Sequence, residues 1–325
     1  EELDTWLARV KRVHPYGPKA IGQALTQEVA RTIKSLPGEL SQLEFYQRLA
    51  PLAGALGDSH TFVSPPRSSY VRMPRLRFDG DGVVLAEEVP PLNVGDRIDS
   101  ISGHAIQNLV SIAKPWVSAE NPEGTSLGAT MILPTALSVA GIQAAIALTA
   151  GPVTVRYHPK SHQPRPPAIT VHELDNRVFL VEVRTFAAPE EFYFKSFKTL
   201  FETLQTQEAR GLIVDLREND GGNTNAGSLL LSYISSRPFR LFGKKLWRVS
   251  AEMQAQIKDL GMSGFQDYLD SGVDRWLNAE PPLESFFSPS ARYKGPTVFL
   301  IGPRTRSAAM MVANAVEDFD LALLV

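Results

Sequence analysis

A serine placed after an apolar run is the first candidate for chemistry. Residues 296–302 are apolar enough to form a buried strand, and Ser307 stands at the start of the helical pattern that follows. A serine in this position commonly caps the helix, because its side chain accepts hydrogen bonds from the first N–H groups. It could instead be a nucleophile on a tight strand-to-helix turn, with the N–H of Ala308 donating to an oxyanion. The residues alone leave both interpretations open.

Paired glycines follow a second apolar run. Residues 211–216 predict a buried parallel strand, and Gly221 and Gly222 come between this strand and the next helical pattern. Glycine lets backbone N–H groups take orientations that are closed to other residues. Such donors at the start of a helix favour an anion. The turn is therefore either a simple positive-φ turn or one half of an oxyanion hole.

Both turns are expected at the same edge of one sheet. In open α/β sheets, ligands bind at the carboxyl ends of the strands. Gly221, Gly222 and Ser307 can therefore converge although they are far apart in the chain.

A hydroxyl nucleophile also needs a base within reach. Residues 57–63 predict a helix exit into a short strand, and Asp58, Ser59 and His60 lie within this segment. Of the six histidines, His60 alone stands between an Asp-Ser pair and a predicted strand, whereas His14 falls in a Pro-Gly turn. The alternative for His60 is a purely structural role.

The elements that must position these residues change along the chain. Residues 1–56 show the apolar spacing of helices, which predicts a small three-helix unit with Ser41 as a possible cap. Short β patterns follow between 72 and 170, and strands alternate with helices from 171 onward, as in an α/β domain. We therefore predict a multidomain α+β fold. The predicted strands are 82–85, 153–157, 178–183, 211–216, 296–302 and 321–325. The helices predicted in the last segment are 192–208, 225–234 and 307–319.

Composition excludes several classes of function. The chain has 325 residues, 33 Lys and Arg against 35 Asp and Glu, and no cysteine. A net charge of −2 gives it no overall attraction for nucleic acid or an anionic membrane. Without cysteine there is no disulfide, thiol nucleophile or Cys-ligated zinc. No His-Glu-x-x-His motif or phosphate loop occurs, so we predict neither a metal nor a cofactor.

One long stretch, 125–155, carries no charged residue. It is rich in Ala and interrupted by Pro, Gly and polar residues, so we interpret it as a buried helix with a strand and not as a membrane span. The chain begins with Glu1, so any signal peptide is expected to have been removed. It stops within the predicted strand 321–325, so the last domain is expected to be incomplete.

Four segments together resemble the tail-specific (C-terminal-processing) and tricorn-core family of serine peptidases. They are GDSHTFV at 57–63, LNVGDRIDSISG at 92–103, GLIVDLRENDGG at 211–222 and TVFLIGPRTRSAAM at 297–310. The resemblance implies an N-terminal helical domain at 1–63, a PDZ-like domain with a helical insertion at 64–170, and a crotonase/ClpP-like α/β catalytic domain at 171–325.

By the same resemblance, Ser307 is the nucleophile, and the oxyanion hole is formed by Ala308 with Gly221 or Gly222. Met310 stands where the family usually has Glu.

The family activates its serine in one of two ways, and the resemblance favours the second. One scheme uses a Lys farther along the chain, and residues 308–325 contain none. The other, tricorn-like scheme uses a His preceded by a Ser, with a distal Glu. Ser59-His60 matches it, which makes His60 the expected general base and Ser59 the residue that orients a partner. The Glu is expected beyond Val325.

The implied activity is that of a serine endopeptidase, which hydrolyses a polypeptide substrate through an acyl-enzyme. The alternatives are a catalytically inactive ligand- or peptide-binding member of the same fold, and an esterase. The resemblance also implies an extracytoplasmic location, periplasmic or secreted, and leaves a homo-oligomer open.

Overall fold

The computed structural model divides the chain into two compact units, each of which mixes helices and strands as predicted. One comprises Glu1–Gln163 with Arg248–Trp276, and the other Pro164–Trp247 with Leu277–Val325. The predicted boundaries at 63 and 170 stay a prediction. The described residues are 2–15, 22–67, 70–142, 146–158, 166–262, 264–283 and 289–325.

Three helices begin the first unit, at the predicted places: α1 (Glu2–Val13), α2 (Gln23–Ser35) and α3 (Gln42–Gly54). Ser41 caps α3 through a reciprocal pair of bonds. Its hydroxyl accepts the Glu44 N–H at 3.2 Å, and the Glu44 carboxylate accepts the Ser41 N–H at 2.8 Å. The helices share an apolar core of Leu3, Leu25, Val29, Leu49 and Leu52.

The rest of the first unit is mainly antiparallel. Strands β1 (Leu76–Phe78) and β2 (Val83–Leu85) pair with each other. A second sheet, in the order β4-β3-β5-β6, contains β3 (Ser100–Ile101), β4 (His104–Ala105), β5 (Ile146–Ala150) and β6 (Val153–Tyr157). The helices between these strands are α4 (Ile106–Ala113), α5 (Pro122–Met131) and α6 (Leu133–Val139).

The charge-free stretch 125–155 thus forms helices and strands, as expected. Within the described residues, no helix has the length and apolar character needed to cross a membrane.

The second unit is built on a five-stranded sheet in the order β13-β12-β9-β8-β7. Its strands are β7 (Ile169–Leu174), β8 (Val178–Val183), β9 (Gly211–Asp215), β12 (Thr297–Leu300) and β13 (Leu323–Leu324). All neighbours are parallel except β7, which runs antiparallel at the edge. Asp215 pairs with Leu300, so β9 and β12 end level with each other.

Three helices pack with this sheet: α7 (Glu190–Thr206), α8 (Thr224–Ser232) and α11 (Ala308–Asp318). Each begins and ends within two residues of its predicted bounds. Their apolar faces share one core with the sheet, which includes Phe186, Tyr193, Phe197, Phe201, Val214, Phe299 and Val312.

The segment between α8 and β12 was not anticipated from the sequence. It contains β10 (Lys245–Arg248), α9 (Ala251–Asp259), α10 (Gln266–Asp270) and β11 (Trp276–Ala279), and β10 pairs with β11. Residues 248–276 of this segment belong to the first unit.

Candidate active site

Ser307 stands immediately before α11 in a conformation that few side chains adopt. Its φ is 51° and its ψ is −123°. Its hydroxyl makes no capping hydrogen bond within the described helix, and its side chain is exposed. The capping interpretation is therefore wrong. A non-glycine residue held in such a region costs about 1–3 kcal/mol, which the surrounding structure must offset.

The turn that leads to Ser307 is bound to the turn that follows β9. The Thr305 hydroxyl donates to the Leu216 carbonyl at 2.8 Å and accepts the Gly302 N–H at 2.9 Å. One residue later, the Arg306 N–H donates to the Asn219 carbonyl at 3.0 Å. Since β9 and β12 end at the same level, these short bonds can fix the position of Ser307 relative to the glycine turn.

Asn219 organises the glycine turn from inside, because it is fully buried. Its side-chain nitrogen donates to the Val183 carbonyl at 2.9 Å, and its side-chain oxygen accepts the Gly221 N–H at 2.8 Å. Asn219 lies within the segment GLIVDLRENDGG, and no role was predicted for it from the sequence. A buried amide with both ends bonded is what such a turn requires, since it satisfies backbone groups that water cannot reach.

The two glycines are required by close packing as well as by their φ angles of 95° and 134°. A Cβ on Gly221 would lie 2.7 Å from the Arg306 carbonyl oxygen and 2.7 Å from the Ser307 Cβ. A Cβ on Gly222 would collide with the backbone of Phe186. The glycine turn therefore lies directly against the candidate nucleophile, which a simple positive-φ turn does not require.

Two backbone donors at this place have no partner among the described residues. The Gly221 N–H is used by Asn219. Gly222 bridges Phe186 in parallel fashion, with bonds made by its chain neighbours, so its own N–H faces away from Phe186 and donates to nothing described. The N–H of Ala308, at the start of α11, is likewise free within the described structure. Free donors at a helix N-terminus attract negative charge.

An ion-pair group joins the same two turns. Arg304 contacts Asp220 at 2.6 Å and Glu218 at 3.3 Å. Burial alone would lower the pKa of Arg304, but the hydrogen bond to Asp220 and the charges of Asp220 and Glu218 raise it. The guanidinium therefore stays charged and holds the loops together.

In the first unit, His60 lies on a turn. The predicted strand at 57–63 is wrong, because these residues form bends and turns with no ladder partner within the described chain. The turn is built on Asp58, whose carboxylate accepts the His60 N–H at 3.0 Å and the Thr61 hydroxyl at 2.5 Å. The His60 side chain is 73% exposed.

His14, which the sequence analysis set aside, lies beside this turn. It is buried, and its Nε2 is 3.1 Å from the Asp58 carboxylate. Burial raises the pKa of Asp58, but the hydrogen bonds from Thr61, His60 and His14 outweigh this effect and lower it.

Ser59 and His60 are brought together with a glutamate that sequence reasoning missed. Ser59 Oγ lies 3.4 Å from His60 Nδ1 and 2.8 Å from a carboxylate oxygen of Glu120. Partial burial acts to raise the pKa of Glu120, but the hydrogen bonds donated by the Ser59 N–H and hydroxyl hold it below its ordinary value. No short motif could reveal this contact, because 61 positions separate the two residues.

One atom each from Asp58, His60 and Glu120 lies within 4.8 Å of the others, a spacing that a metal ion could use. The sequence analysis predicted no metal. Both carboxylates already accept hydrogen bonds from this turn. Asp58 accepts from His60 and Thr61, and Glu120 accepts from Ser59. We assign no metal here.

Comparison with known proteins gives a match to one family model and several solved structures of similar fold. Residues 177–325 match the model of peptidase family S41. Mature CPAF is similar in structure, with a TM-score of 0.63, 15% identity, and 99% of this chain and 82% of that chain covered. A serine-to-alanine mutant of CPAF has a TM-score of 0.65 and 14% identity, and the match covers 99% of this chain and 82% of that chain. The photosystem II D1 C-terminal processing protease has a TM-score of 0.50 and 15% identity, and the match covers 99% of this chain and 78% of that chain. These likenesses show the fold, and no curated protein matches the chain in sequence.

Proposed function

We propose that this chain, whose residues 177–325 match the model of peptidase family S41, is a serine peptidase that hydrolyses peptide bonds with Ser307 as nucleophile and His60 as general base. The observation that carries the proposal is the conformation of Ser307. A strained, exposed serine at a strand-to-helix turn, beside two N–H donors without a partner among the described residues, is the arrangement that acyl transfer needs.

The reaction follows from these groups. Ser307 Oγ attacks the carbonyl carbon while its proton passes to His60 Nε2, and the carbonyl oxygen becomes an oxyanion that accepts hydrogen bonds from Gly222 and Ala308. The C–N bond then breaks, and the imidazolium gives its proton to the leaving amine. A water molecule loses a proton to His60 and attacks the acyl ester, whose C–O bond breaks to release Ser307. Removal of one oxyanion donor costs about 10²–10³-fold in rate in a related chemistry.

We also infer that the region 64–170 is PDZ-like and takes part in handling the polypeptide substrate. Its support is the four-stranded antiparallel sheet β4-β3-β5-β6, since domains of this kind bind chain ends by adding a strand to a sheet edge. An extracytoplasmic location, periplasmic or secreted, belongs to the same proposal.

Fluorophosphonate labelling of the full chain tests the assignment of Ser307 and His60. We expect wild type to be labelled and both Ser307→Ala and His60→Ala to lose labelling. Ser236→Ala and His104→Ala are matched controls, because both residues are exposed and lie outside the site. They should be labelled at the wild-type rate.

Two other results would contradict the proposal. No labelling of a folded wild-type chain would favour the inactive, ligand- or peptide-binding alternative. Turnover of small esters without cleavage of any polypeptide would favour an esterase.

A further inference from the structure

The tautomer of the neutral His60 ring depends on what its Nδ1 contacts. A neutral imidazole carries one proton, and a general base needs its lone pair on the nitrogen that faces the nucleophile. In this turn, Nδ1 faces Ser59 Oγ at 3.4 Å. Which of these two groups donates depends on where the hydroxyl proton of Ser59 goes.

That proton has a clear acceptor. The Ser59 hydroxyl donates to a carboxylate oxygen of Glu120 at 2.8 Å, and the Ser59 N–H donates to the same oxygen at 3.0 Å. A hydroxyl has only one proton to give, so Ser59 Oγ must accept from His60 Nδ1. The chain of donors therefore runs from His60 through Ser59 to Glu120, and it leaves the lone pair on Nε2.

Glu120 is held in place for this contact. Two residues before Glu120, Ser118 is buried, and its hydroxyl accepts the Asp58 N–H at 2.9 Å. The residue after Glu120, Asn121, caps α5 by accepting the Gly124 N–H at 2.7 Å. Glu120 thus lies between two fixed points, with its carboxylate facing the His60 turn.

The other ionisable groups around this turn are committed elsewhere. Asp58 comes no nearer than 3.9 Å to His60 Nδ1, because its oxygens accept from the His60 backbone and from Thr61. His14 contacts the Asp58 carboxylate. Among the described residues, Glu120 is therefore the carboxylate that is coupled to the His60 ring through a hydroxyl.

We propose that Glu120, acting through Ser59, is the positioning residue that orients His60 and fixes its Nδ1–H tautomer. This inference rests on the proposed function of His60. It places the carboxylate within this chain, upstream of the nucleophile, whereas the family resemblance places a Glu downstream.

The first test reads the His60 ring directly and needs no activity. Long-range ¹⁵N–¹H NMR of the full chain, with the His60 signals assigned by comparison with His60→Gln, should show Nδ1–H in wild type and in Glu123→Gln. Glu123 is a matched control because it is an exposed glutamate three residues away. Glu120→Gln and Ser59→Ala should lose the fixed tautomer, whereas Ser59→Thr, which keeps the hydroxyl, should retain it. A wild-type tautomer in Glu120→Gln would overturn the proposal.

The second test measures the rate of fluorophosphonate labelling at a single neutral pH. In Glu120→Gln the negative charge beside Ser59 is lost, and the amide can donate from its nitrogen to Ser59 Oγ as well as accept from it, so the Ser59 hydroxyl no longer has a fixed direction. We expect the labelling rate to fall by about 10²-fold, the lower end of what a positioned general base contributes.

The outcomes separate the two proposals. If wild type is not labelled, the proposed function fails, whereas the NMR experiment still tests the effect of Glu120 on the His60 tautomer. If wild type is labelled and Glu120→Gln matches it in rate, Glu120 has no positioning role and the proposal is overturned. A lower rate in Glu120→Gln with the wild-type tautomer unchanged would leave only a structural role and overturn the proposal. Loss of wild-type labelling in EDTA, restored by a divalent cation, would make the cluster a metal site and overturn it as well.

Discussion

The side-chain oxygen of Asn219 accepts the backbone N–H of Gly221 at 2.8 Å. Because this bond uses the Gly221 N–H, the oxyanion hole proposed above takes its donor from Gly222 instead. A Cβ on Gly221 would lie 2.7 Å from that of Ser307, so the turn that Asn219 holds is the one that approaches the serine.

Replacement of Asn219 by Ala should therefore damage both stability and activity. The Gly221 N–H and the Val183 carbonyl would lose their partner, at about 1–3 kcal/mol for each buried group left unpaired. We expect urea unfolding to show this loss and labelling of Ser307 to slow. Asn225→Ala is the control, because Asn225 is exposed on α8 and should change neither quantity. Full stability in Asn219→Ala would mean that water replaces the side chain.

Gly221→Ala should be much more damaging than Gly95→Ala. The two glycines have φ angles of 95° and 94°, so a side chain is strained at both, by about 1–2 kcal/mol. Nothing lies within 4 Å of a Cβ on Gly95, whereas on Gly221 it meets the backbone of Arg306 and Ala308. Overpacking typically adds about 1–3 kcal/mol. Thermal unfolding of both variants measures this difference. Equal losses of stability would mean that the Ser307 turn shifts to make room for the Cβ on Gly221.

The sequence predicted the regular elements around the site well. Strands at 153–157 and 178–183 were predicted to the residue, because apolar β patterns between turn residues are local signals. Ser307 and the two glycines were also found from local pattern, since each follows a buried strand of one sheet.

The contacts within the His60 turn could not be found in this way. Glu120 reaches Ser59 across 61 positions, and His14 reaches Asp58 across 44. Only the fold decides which residues far apart in the chain meet, and an isolated glutamate or histidine carries no sequence signal of its partner. The capping interpretation of Ser307 shows the same limit, because residue type at a helix start does not reveal a φ of 51°.

Ser307→Gly should be more stable than Ser307→Ala. Both variants lack the hydroxyl, but only Ala keeps a Cβ at a φ of 51°, which costs about 1 kcal/mol that glycine avoids. Both should be inactive in labelling, so the comparison isolates the strain that the nucleophile position stores. Differential scanning calorimetry measures it, with Ser236→Gly against Ser236→Ala as the control at an exposed site. A more stable Ser307→Ala would show that the turn relaxes without the hydroxyl.

Acid should destabilise the His60 turn through Asp58. Burial opposes the change, but hydrogen bonds from Thr61, His60 and His14 lower the pKa of Asp58 below its ordinary value of 3.8. A carboxyl whose pKa is lowered by folding binds its proton more readily when unfolded. Its contribution to stability is therefore present above pH 3.8 and is lost as the pH falls through the lower, folded value. Asp58→Asn should lack this contribution at neutral pH and should lose less stability than wild type on acidification.

Urea unfolding of both proteins between pH 7 and pH 3 measures the difference, with Asp81→Asn, at an exposed turn, as the matched control. Parallel curves for wild type and Asp58→Asn would show that the hydrogen bonds to this carboxylate add nothing to folding.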